Sequence, residues 1–444
     1  MPRGAPDFIR LMQLLPTEAE EYPSKFFPIS VMVRWNLTNG IDFKSETPIT
    51  TDYLKQGIIL PTNVPIADPT GAIASYEAGW VCRALIKANG AGELDLAGSV
   101  LTEMAKLQYA DGSFEQQYYP TRTTDGKHVP FVITGSPFKD LQVDSGAGLL
   151  VWAMAEYDKA KVTTTFKTTV QKAFNFLREC QIQHHNQYPA SYLLANQRWN
   201  YIAGSPLWNY GAFACDSAEC LMAAYAALDA YGSDLLSQNG YSVKQWANDV
   251  YVSLTLCWTG SSNPTDLDDA YFRTEYPAGA TMWQMPANVV PQGISYAQGM
   301  VALAIYTFAK GAFKNVGVSD YSYLCERALN YACALTEGKW GGFYYHPVSP
   351  LMGAGIKGDG WGLYDEFPSF TAIMIMGMSA VNSTLYASRI SRAKRFIRLA
   401  ALPGGLVVNR IKIDGTVDLG EGSTWGDGMH FRSLNSAQAI VAGA

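Results

Sequence analysis

Six carboxylate side chains stand out in this 444-residue chain, because each lies at or just before the start of an apolar segment of helical character. They are Glu77, Asp144, Asp216, Glu219, Asp365 and Glu366. Cleavage of a glycosidic bond needs two carboxyl groups, one to protonate the leaving oxygen and one to activate water or attack the sugar. Capping of the helix is the alternative role for Asp144 and Asp216. From these acids the sequence predicts a catalytic set of Glu366, Asp365, Asp144, Glu77 and Asp216.

Aromatic side chains are concentrated in the segments that connect the same helices. Flat rings beside carboxylates suit the apolar faces of sugars, and anchoring of the loops is the alternative that remains open. The predicted substrate-binding residues are Tyr296, Tyr364, Trp361, Trp208, Gln298 and Tyr118. None of the 5 histidines has the spacing of a metal-ligand set, so we expect neither a metal site nor another cofactor.

A regular alternation of two helix types must position these residues. Six segments that are apolar nearly all round begin near Glu77, Asp144, Asp216, Tyr296, Phe370 and Asn435. Five amphipathic segments lie between them, at about 93–108, 162–182, 243–258, 319–336 and 386–400. Buried and solvent-facing helices in alternation predict an all-α fold, an (α/α)6 toroid of helical hairpins with an inner and an outer ring. The inner helices would then all start at one mouth, where the acids meet.

The first part of the chain has a different composition. Residues 1–70 are rich in proline and contain short β-prone runs, so we expect an N-terminal arm with some β structure, packed on a toroid domain of residues 71–444. The sixth outer helix is then either missing or supplied by the segment around Phe8–Leu15. Strand character at Leu406–Val408 predicts a hairpin within 404–432.

Composition excludes several classes of protein and partner. With 33 basic and 39 acidic side chains, the chain has no basic excess for nucleic acid. Apolar runs are too short to span a membrane. Residues 1–10 lack the apolar core of a signal peptide, which favours the cytoplasm and leaves a surface or virion-associated protein open. Only 16% of residues are charged, which leaves a homo-oligomer or larger assembly open.

Two stretches resemble known toroid enzymes. Asp111-Gly112-Ser113-Phe114, followed by Gln142-Val143-Asp144, resembles a hairpin of the glucoamylase-like six-hairpin glycosidases. The run 294–300 resembles the S-x-x-Q-G stretch of the glucuronyl epimerase toroid domain. In that comparison Tyr364-Asp365-Glu366-Phe367-Pro368 is similar to a Y-E-E-Y-P element, so that Glu366 takes the place of a functional carboxylate. Phe367, however, stands where that family has a tyrosine whose hydroxyl takes part in its chemistry.

Both resemblances imply the toroid fold and a saccharide ligand, but they imply different reactions. We therefore expect a carbohydrate-active enzyme that hydrolyses a glycosidic bond in an oligo- or polysaccharide, with a pair of carboxyl groups. A uronyl epimerase or polysaccharide lyase is one alternative. A non-catalytic glycan-binding or structural part of a larger assembly is the other.

Overall fold

The computed structural model describes residues 48–51, 73–114, 117–122, 128–130, 144–182, 213–256, 258, 260, 271–272, 295–344, 365–402, 406–411, 417–418 and 429–444. Eleven helices lie in these ranges. They are α1 (Ser75–Ala88), α2 (Ala91–Lys106), α3 (Asp144–Lys161), α4 (Lys167–Ile182), α5 (Phe213–Tyr231), α6 (Val243–Leu256), α7 (Ser295–Lys310), α8 (Ser322–Thr336), α9 (Pro368–Asn382), α10 (Ala387–Leu399) and α11 (Met429–Ala442).

The odd-numbered helices form a closed inner ring. Each packs against the next one along the chain, and α11 packs back against α1. The five even-numbered helices lie outside, each against the inner helix that precedes it. This arrangement confirms the predicted (α/α)6 toroid of helical hairpins. The predicted helix starts agree to within a few residues for five inner helices, whereas α11 begins at Met429 rather than near Asn435.

The connections place all inner-helix starts at one end of the ring. Each of the first five inner helices is joined to its outer partner by a shorter connection, as at 89–90 and 383–386, whereas long segments lead from an outer helix to the next inner one. Because the two helices of a hairpin run antiparallel, the six inner helices run in the same direction. We call the end where they start the mouth.

Close packing of helix backbones keeps the inner ring narrow. A Cβ atom on Gly377 of α9 would lie 2.6 Å from the carbonyl oxygen of Gly299 on α7, and one on Gly299 would lie 2.9 Å from the carbonyl oxygen of Ile373. On the same two helices Met300 and Met374 are fully buried. An inner helix is therefore enclosed by neighbours on every side, which explains why its sequence is apolar nearly all round.

Three small antiparallel sheets are associated with this framework. One has the order β1 (Ile73–Ala74), β2 (Gln117–Arg122) and β3 (His128–Pro130). Another joins β4 (Phe343–Tyr344), β5 (Glu366–Phe367), β8 (Arg410–Ile411) and β9 (Val417–Asp418), and the third pairs β6 (Ala401–Leu402) with β7 (Leu406–Val407). Strand β1 runs into α1 and β5 into α9, so their sheets lie at the mouth. The strand predicted at 406–408 is present as β7.

The predicted N-terminal arm, with its segment Phe8–Leu15, lies outside the described residues apart from 48–51. Its place on the toroid and the identity of a sixth outer helix stay predictions. Of the helices just described, none combines the length and the apolar character that crossing a bilayer would require.

Candidate active site

Three side chains from three inner helices meet at the mouth end of the ring. The Tyr76 hydroxyl donates to Oε1 of Glu219 at 2.8 Å, and the Tyr296 hydroxyl donates to the same oxygen at 2.6 Å. The two phenol oxygens also contact each other. Tyr76 and Tyr296 are the second residues of α1 and α7, and Glu219 lies in the second turn of α5. We call these three residues the Glu219 cluster.

The Glu219 cluster lies on the axis of the ring. Helices α1 and α7 are opposite each other among the six inner helices, and α5 is no neighbour of α1, so their side chains can meet only across the centre. Glu219 is fully buried, while Tyr76 and Tyr296 remain partly exposed. Tyr76 and Tyr296 therefore retain some exposed surface, whereas the carboxyl group to which their hydroxyls donate is shielded from solvent.

Burial governs the ionisation of this carboxyl group. Burial raises the pKa of Glu219 from 4.5 to about 7, against the opposing effects of the two phenol hydrogen bonds and the positive charge of Arg83. The pKa of Tyr76 is raised well above its usual value, first by burial and then by the charge of Glu219. Near neutral pH the carboxyl is therefore present in both forms, so it can donate or accept a proton.

The second oxygen of the carboxyl group is oriented differently. Oε2 of Glu219 is buried and has no hydrogen-bond partner among the residues that the structure describes. A buried polar atom without a partner costs free energy. The arrangement thus leaves one carboxyl oxygen fixed by two tyrosines and the other able to bond to a ligand atom.

An ion pair joins the neighbouring inner helices α1 and α3, further from the mouth. Arg83 follows Tyr76 and Trp80 on one face of α1, at steps of four and three residues. Its guanidinium contacts Glu156 of α3 through Nε–Oε2 at 3.0 Å and Nη2–Oε1 at 3.2 Å. It also lies 3.3 Å from the centre of a Trp152 ring. The face of α1 that carries Tyr76 at the mouth therefore also carries a buried arginine two turns further along.

Glu366, a predicted catalytic residue, has both carboxylate oxygens engaged elsewhere. Oε1 accepts the backbone N–H of Trp340 at 3.0 Å, and Oε2 accepts that of Gly342 at 2.7 Å. A side chain at Gly338 would overlap this carboxyl group, so only glycine permits the approach. Burial raises the pKa of Glu366 to about 7. Glu366 thus holds the turn before β4, and we do not carry it into the proposed catalytic set.

Glu366→Gln is expected to lower the stability of the fold by about 1–3 kcal/mol, because the new amide nitrogen would face a buried backbone N–H. Activity per folded molecule should be retained. Thermal unfolding and the specific activity of the folded fraction check the two statements. Loss of turnover in a variant with the wild-type melting temperature would instead restore the catalytic prediction.

The other predicted acids have different environments. Asp365 is buried and forms an ion pair with Arg410 of β8 at 3.2 Å. Glu77 lies in the first turn of α1 and is partly exposed, next to Tyr76 at the mouth. Asp144 begins α3 and Asp216 lies in the first turn of α5, but their side chains are outside the described part of the structure. Glu77, Asp144 and Asp216 therefore share the mouth, and Asp365 neutralises an arginine beside it.

The predicted substrate-binding residues also divide into groups. Tyr296 belongs to the Glu219 cluster. Gln298 is fully buried, accepts the N–H of Phe272 at 2.9 Å and donates to its carbonyl oxygen at 2.8 Å, so its amide anchors a loop. Tyr118 is in β2, opposite Ile73, and its side chain is not among the described ones. Trp208, Trp361 and Tyr364 lie outside the described residues.

Two residues of the Glu219 cluster were absent from the predicted set. Glu219 is one of the acids at the predicted helix starts, but the predicted catalytic set contains Asp216, near which the sequence places the start of this helix. Since α5 begins at Phe213, Glu219 is one turn deeper than Asp216. Tyr76 immediately precedes the expected helix start at Glu77. The signal that could have identified it is the series Tyr76, Trp80 and Arg83, one polar and aromatic face on an otherwise apolar helix.

No group of three histidine, cysteine, aspartate or glutamate side chains suited to a metal ion occurs in the described ranges.

Comparisons with known proteins find similarity in fold but not in sequence. Neither a sequence-family model nor a curated protein sequence matches it. Among solved structures, it is similar to a sugar epimerase from a ruminal bacterium, with a TM-score of 0.55 and 12% identity over 85% of this chain and 90% of that one. It is similar to cellobiose 2-epimerase from Bacillus thermoamylovorans B4167, with a TM-score of 0.54 and 9% identity over 84% and 88%. A D-mannose isomerase matches with a TM-score of 0.53 and 11% identity over 88% and 96%. The chain therefore has the (α/α)6-toroid fold that its helix repeat predicted.

Proposed function

We propose that this chain is a carbohydrate-active enzyme in which Glu219 transfers a proton to or from a sugar. The observation that carries the proposal is the Glu219 carboxyl itself. It is buried on the ring axis, its pKa is raised to about 7, and its Oε2 has no partner among the described residues. A carboxyl group with these properties suits general acid–base catalysis near neutral pH.

Glycosidic bond hydrolysis is the reaction we assign first. Protonated Glu219 would donate its proton to the leaving oxygen, and a second carboxylate would activate water or attack the sugar. Glu77, Asp144 and Asp216 are the candidates for that second group, because all three lie in the first turns of inner helices at the mouth. The substrate would be an oligo- or polysaccharide that enters there.

The two tyrosines have a defined part in this proposal. Both phenols donate to Oε1 of Glu219, so they stabilise the carboxylate that remains once the proton has left. They also fix the plane of the carboxyl group and direct Oε2 away from themselves. Their partly exposed rings offer an aromatic surface to a sugar.

Tyr296→Phe is expected to raise the pKa of Glu219 above its present value, because one hydrogen bond to the ionised form is lost. We expect kcat/KM to fall about tenfold, the equivalent of roughly 1.4 kcal/mol. The pH profile of kcat/KM measures both effects. Tyr386→Phe is the matched control, since the buried Tyr386 hydroxyl bonds to Asn330 at 2.9 Å, far in sequence from the Glu219 cluster. An unchanged profile in Tyr296→Phe would contradict the role of this phenol.

Sugar epimerisation or isomerisation is the second candidate. A group with a pKa near 7 can take up a proton and return it within one catalytic cycle, which both reactions need. Three of the structures that the chain is similar to are a D-mannose isomerase, a cellobiose 2-epimerase and a sugar epimerase. The fold likeness supports this reaction class without deciding it.

One experiment separates the two reactions. A panel of glycans and free sugars is incubated with the chain in deuterated water. Hydrolysis releases new reducing ends without deuterium on carbon, whereas epimerisation or isomerisation by proton exchange incorporates deuterium at the reacting carbon. Whichever signal is found, reducing ends or deuterium on carbon, should be lost in Glu219→Gln. Binding of glycans with no turnover at any pH would contradict the enzyme proposal and favour a glycan-binding protein.

A further inference from the structure

Four large apolar side chains are exposed among the residues that the structure describes, and all four lie at the same end of the ring. They are Val162, Leu236, Val316 and Leu385, with exposed fractions that run from 42% at Leu236 to the whole side chain at Val316. Each lies in the connection from an inner helix to its outer partner, so each lies at the end opposite the mouth. We call this end the base. The base therefore presents one large aliphatic side chain in each of four hairpin turns.

Val162 is an unfavourable residue for its position. It directly follows the last residue of α3 and has a φ of 53°, in the left-handed region that a β-branched side chain rarely adopts. The equivalent residue after α1 is Asn89, with a φ of 55°, a residue type that tolerates this conformation. The Val162 side chain is 92% exposed, so packing within the chain does not offset the strain. An apolar contact with another molecule would account for both the exposure and the residue type.

The charges of the four turns are nearly all neutralised within the chain. Ion pairs at the base join Lys161 to Asp95, Lys159 to Asp229 and Lys310 to Asp320. Within the turns, two charged side chains lack an ionic partner in the described ranges. Asp234 is exposed in the turn after α5. Lys314, in the turn after α7, donates to the carbonyl oxygen of Val318 at 2.7 Å. One turn thus has a spare negative charge, and the next turn has a spare positive one.

The order of these turns around the ring makes the base complementary to itself. Helices α3, α5, α7 and α9 are consecutive in the ring. Consider a two-fold axis that lies in the base and passes midway between the turns after α5 and α7. It places the first of the four turns on the fourth turn of a second copy, and the second turn on the third. Val162 then faces Leu385, and Leu236 faces Val316, each pair occurring twice.

We propose that the base is the interface of an isologous dimer, in which two copies of this chain stack base to base about that two-fold axis. Apolar side chains then meet apolar ones, and Asp234 of each copy lies opposite Lys314 of the other. A single unpaired charge of each sign is unlike the one-signed surface that a nucleic acid or an anionic lipid would require. The two mouths point away from each other and stay open, so the inference is independent of the proposed function.

Sedimentation equilibrium of the full chain measures the association. Wild type should have twice the 48.6 kDa mass of one chain. Leu236→Asp and Val316→Lys each place two uncompensated charges in the interface, so the dissociation constant of the dimer should rise about a hundredfold or more. The double variant puts each new carboxylate opposite a new ammonium group and should restore the dimer. Ser99→Asp is the matched control, because it adds a charge to an exposed position of the outer helix α2.

Dissociation by each single substitution, with recovery in the double variant, supports the proposal. A monomeric wild type, a dimer that the base substitutions leave intact, or single effects without recovery overturns it. Growth beyond two copies also overturns it, because an isologous contact closes at the dimer. The substituted side chains are exposed, so wild-type melting temperatures are expected. Should a variant fail to fold, Val162→Asp and Leu385→Lys form a second pair with the same expected results.

Discussion

Glu219→Gln is expected to lower kcat by about a hundred- to ten-thousand-fold, the range that one acid–base group contributes. The amide has the shape of the carboxyl group but no transferable proton. Its oxygen can still accept from Tyr76 and Tyr296, and its nitrogen would take the place of Oε2, which has no described partner to lose. The substitution therefore removes the chemistry while it keeps the packing of the Glu219 cluster.

Although Glu219→Gln should lose activity, it should gain stability relative to wild type as pH rises. Because the pKa of Glu219 is raised from 4.5 to about 7 in the fold, the folded chain binds more protons than the unfolded chain between these values. Wild-type stability therefore falls as pH rises through this window. Glu219→Gln lacks this loss, so its melting temperature relative to wild type should rise between about pH 5 and about pH 8.

Asp158→Asn is the matched control for Glu219→Gln. Asp158 is also a buried carboxyl on an inner helix, with a pKa raised by burial. Its Oδ2 accepts hydrogen bonds from the Tyr231 hydroxyl at 2.8 Å and from the Phe166 N–H at 2.8 Å. Asp158, however, lies near the end of α3, away from the mouth. Full turnover should remain in this control. Wild-type turnover in Glu219→Gln would contradict the proposed role of the carboxyl group.

Gly377→Ala is expected to destabilise the fold by about 1–3 kcal/mol, although alanine favours helix. The new Cβ would lie 2.6 Å from the carbonyl oxygen of Gly299, a backbone atom that cannot move without shifting α7. Two inner helices would have to separate, and the closed ring transmits that shift to their neighbours. Thermal unfolding of the purified chain measures the effect.

Gly92→Ala is the control for this substitution. Gly92 is exposed in α2, and nothing lies within 4 Å of the position where its Cβ would be. The same change there should stabilise the chain by up to about 1 kcal/mol, because alanine restricts the unfolded chain. The two substitutions are thus expected to change the free energy of unfolding in opposite directions. Equal stability of both variants would contradict the close contact of α7 and α9.

The fold could be predicted from the sequence, because the spacing of apolar residues along each helix reflects which faces of that helix are buried. A helix enclosed on all sides has to be apolar all round, as in α9, whereas α4 faces solvent and keeps Lys167 and Lys172 between its apolar residues. The sequence places the start of α3 near Asp144, and the helix begins at that residue. These patterns repeat with each hairpin, so an error at one boundary does not affect the others.

The candidate site was less predictable, because its geometry depends on contacts between distant segments. Whether a carboxyl group caps a turn or faces the axis depends on helix register: one turn separates Asp216 from Glu219 on α5. Nothing local in the sequence shows that Glu366 accepts two N–H groups from the turn before β4, or that Gln298 bonds to Phe272. Such partners are defined only once the ring has closed.

Direct titration of Glu219 in the wild-type chain tests the central claim without knowledge of the substrate. Carbon-13 NMR of the carboxyl group, assigned with Glu219→Gln, should give a midpoint near pH 7, since burial on the ring axis raises the pKa to about that value. A midpoint near 4.5, the ordinary value for glutamate, would show a solvated carboxyl group. That result would contradict the proposal that Glu219 is the proton-transferring group of this toroid.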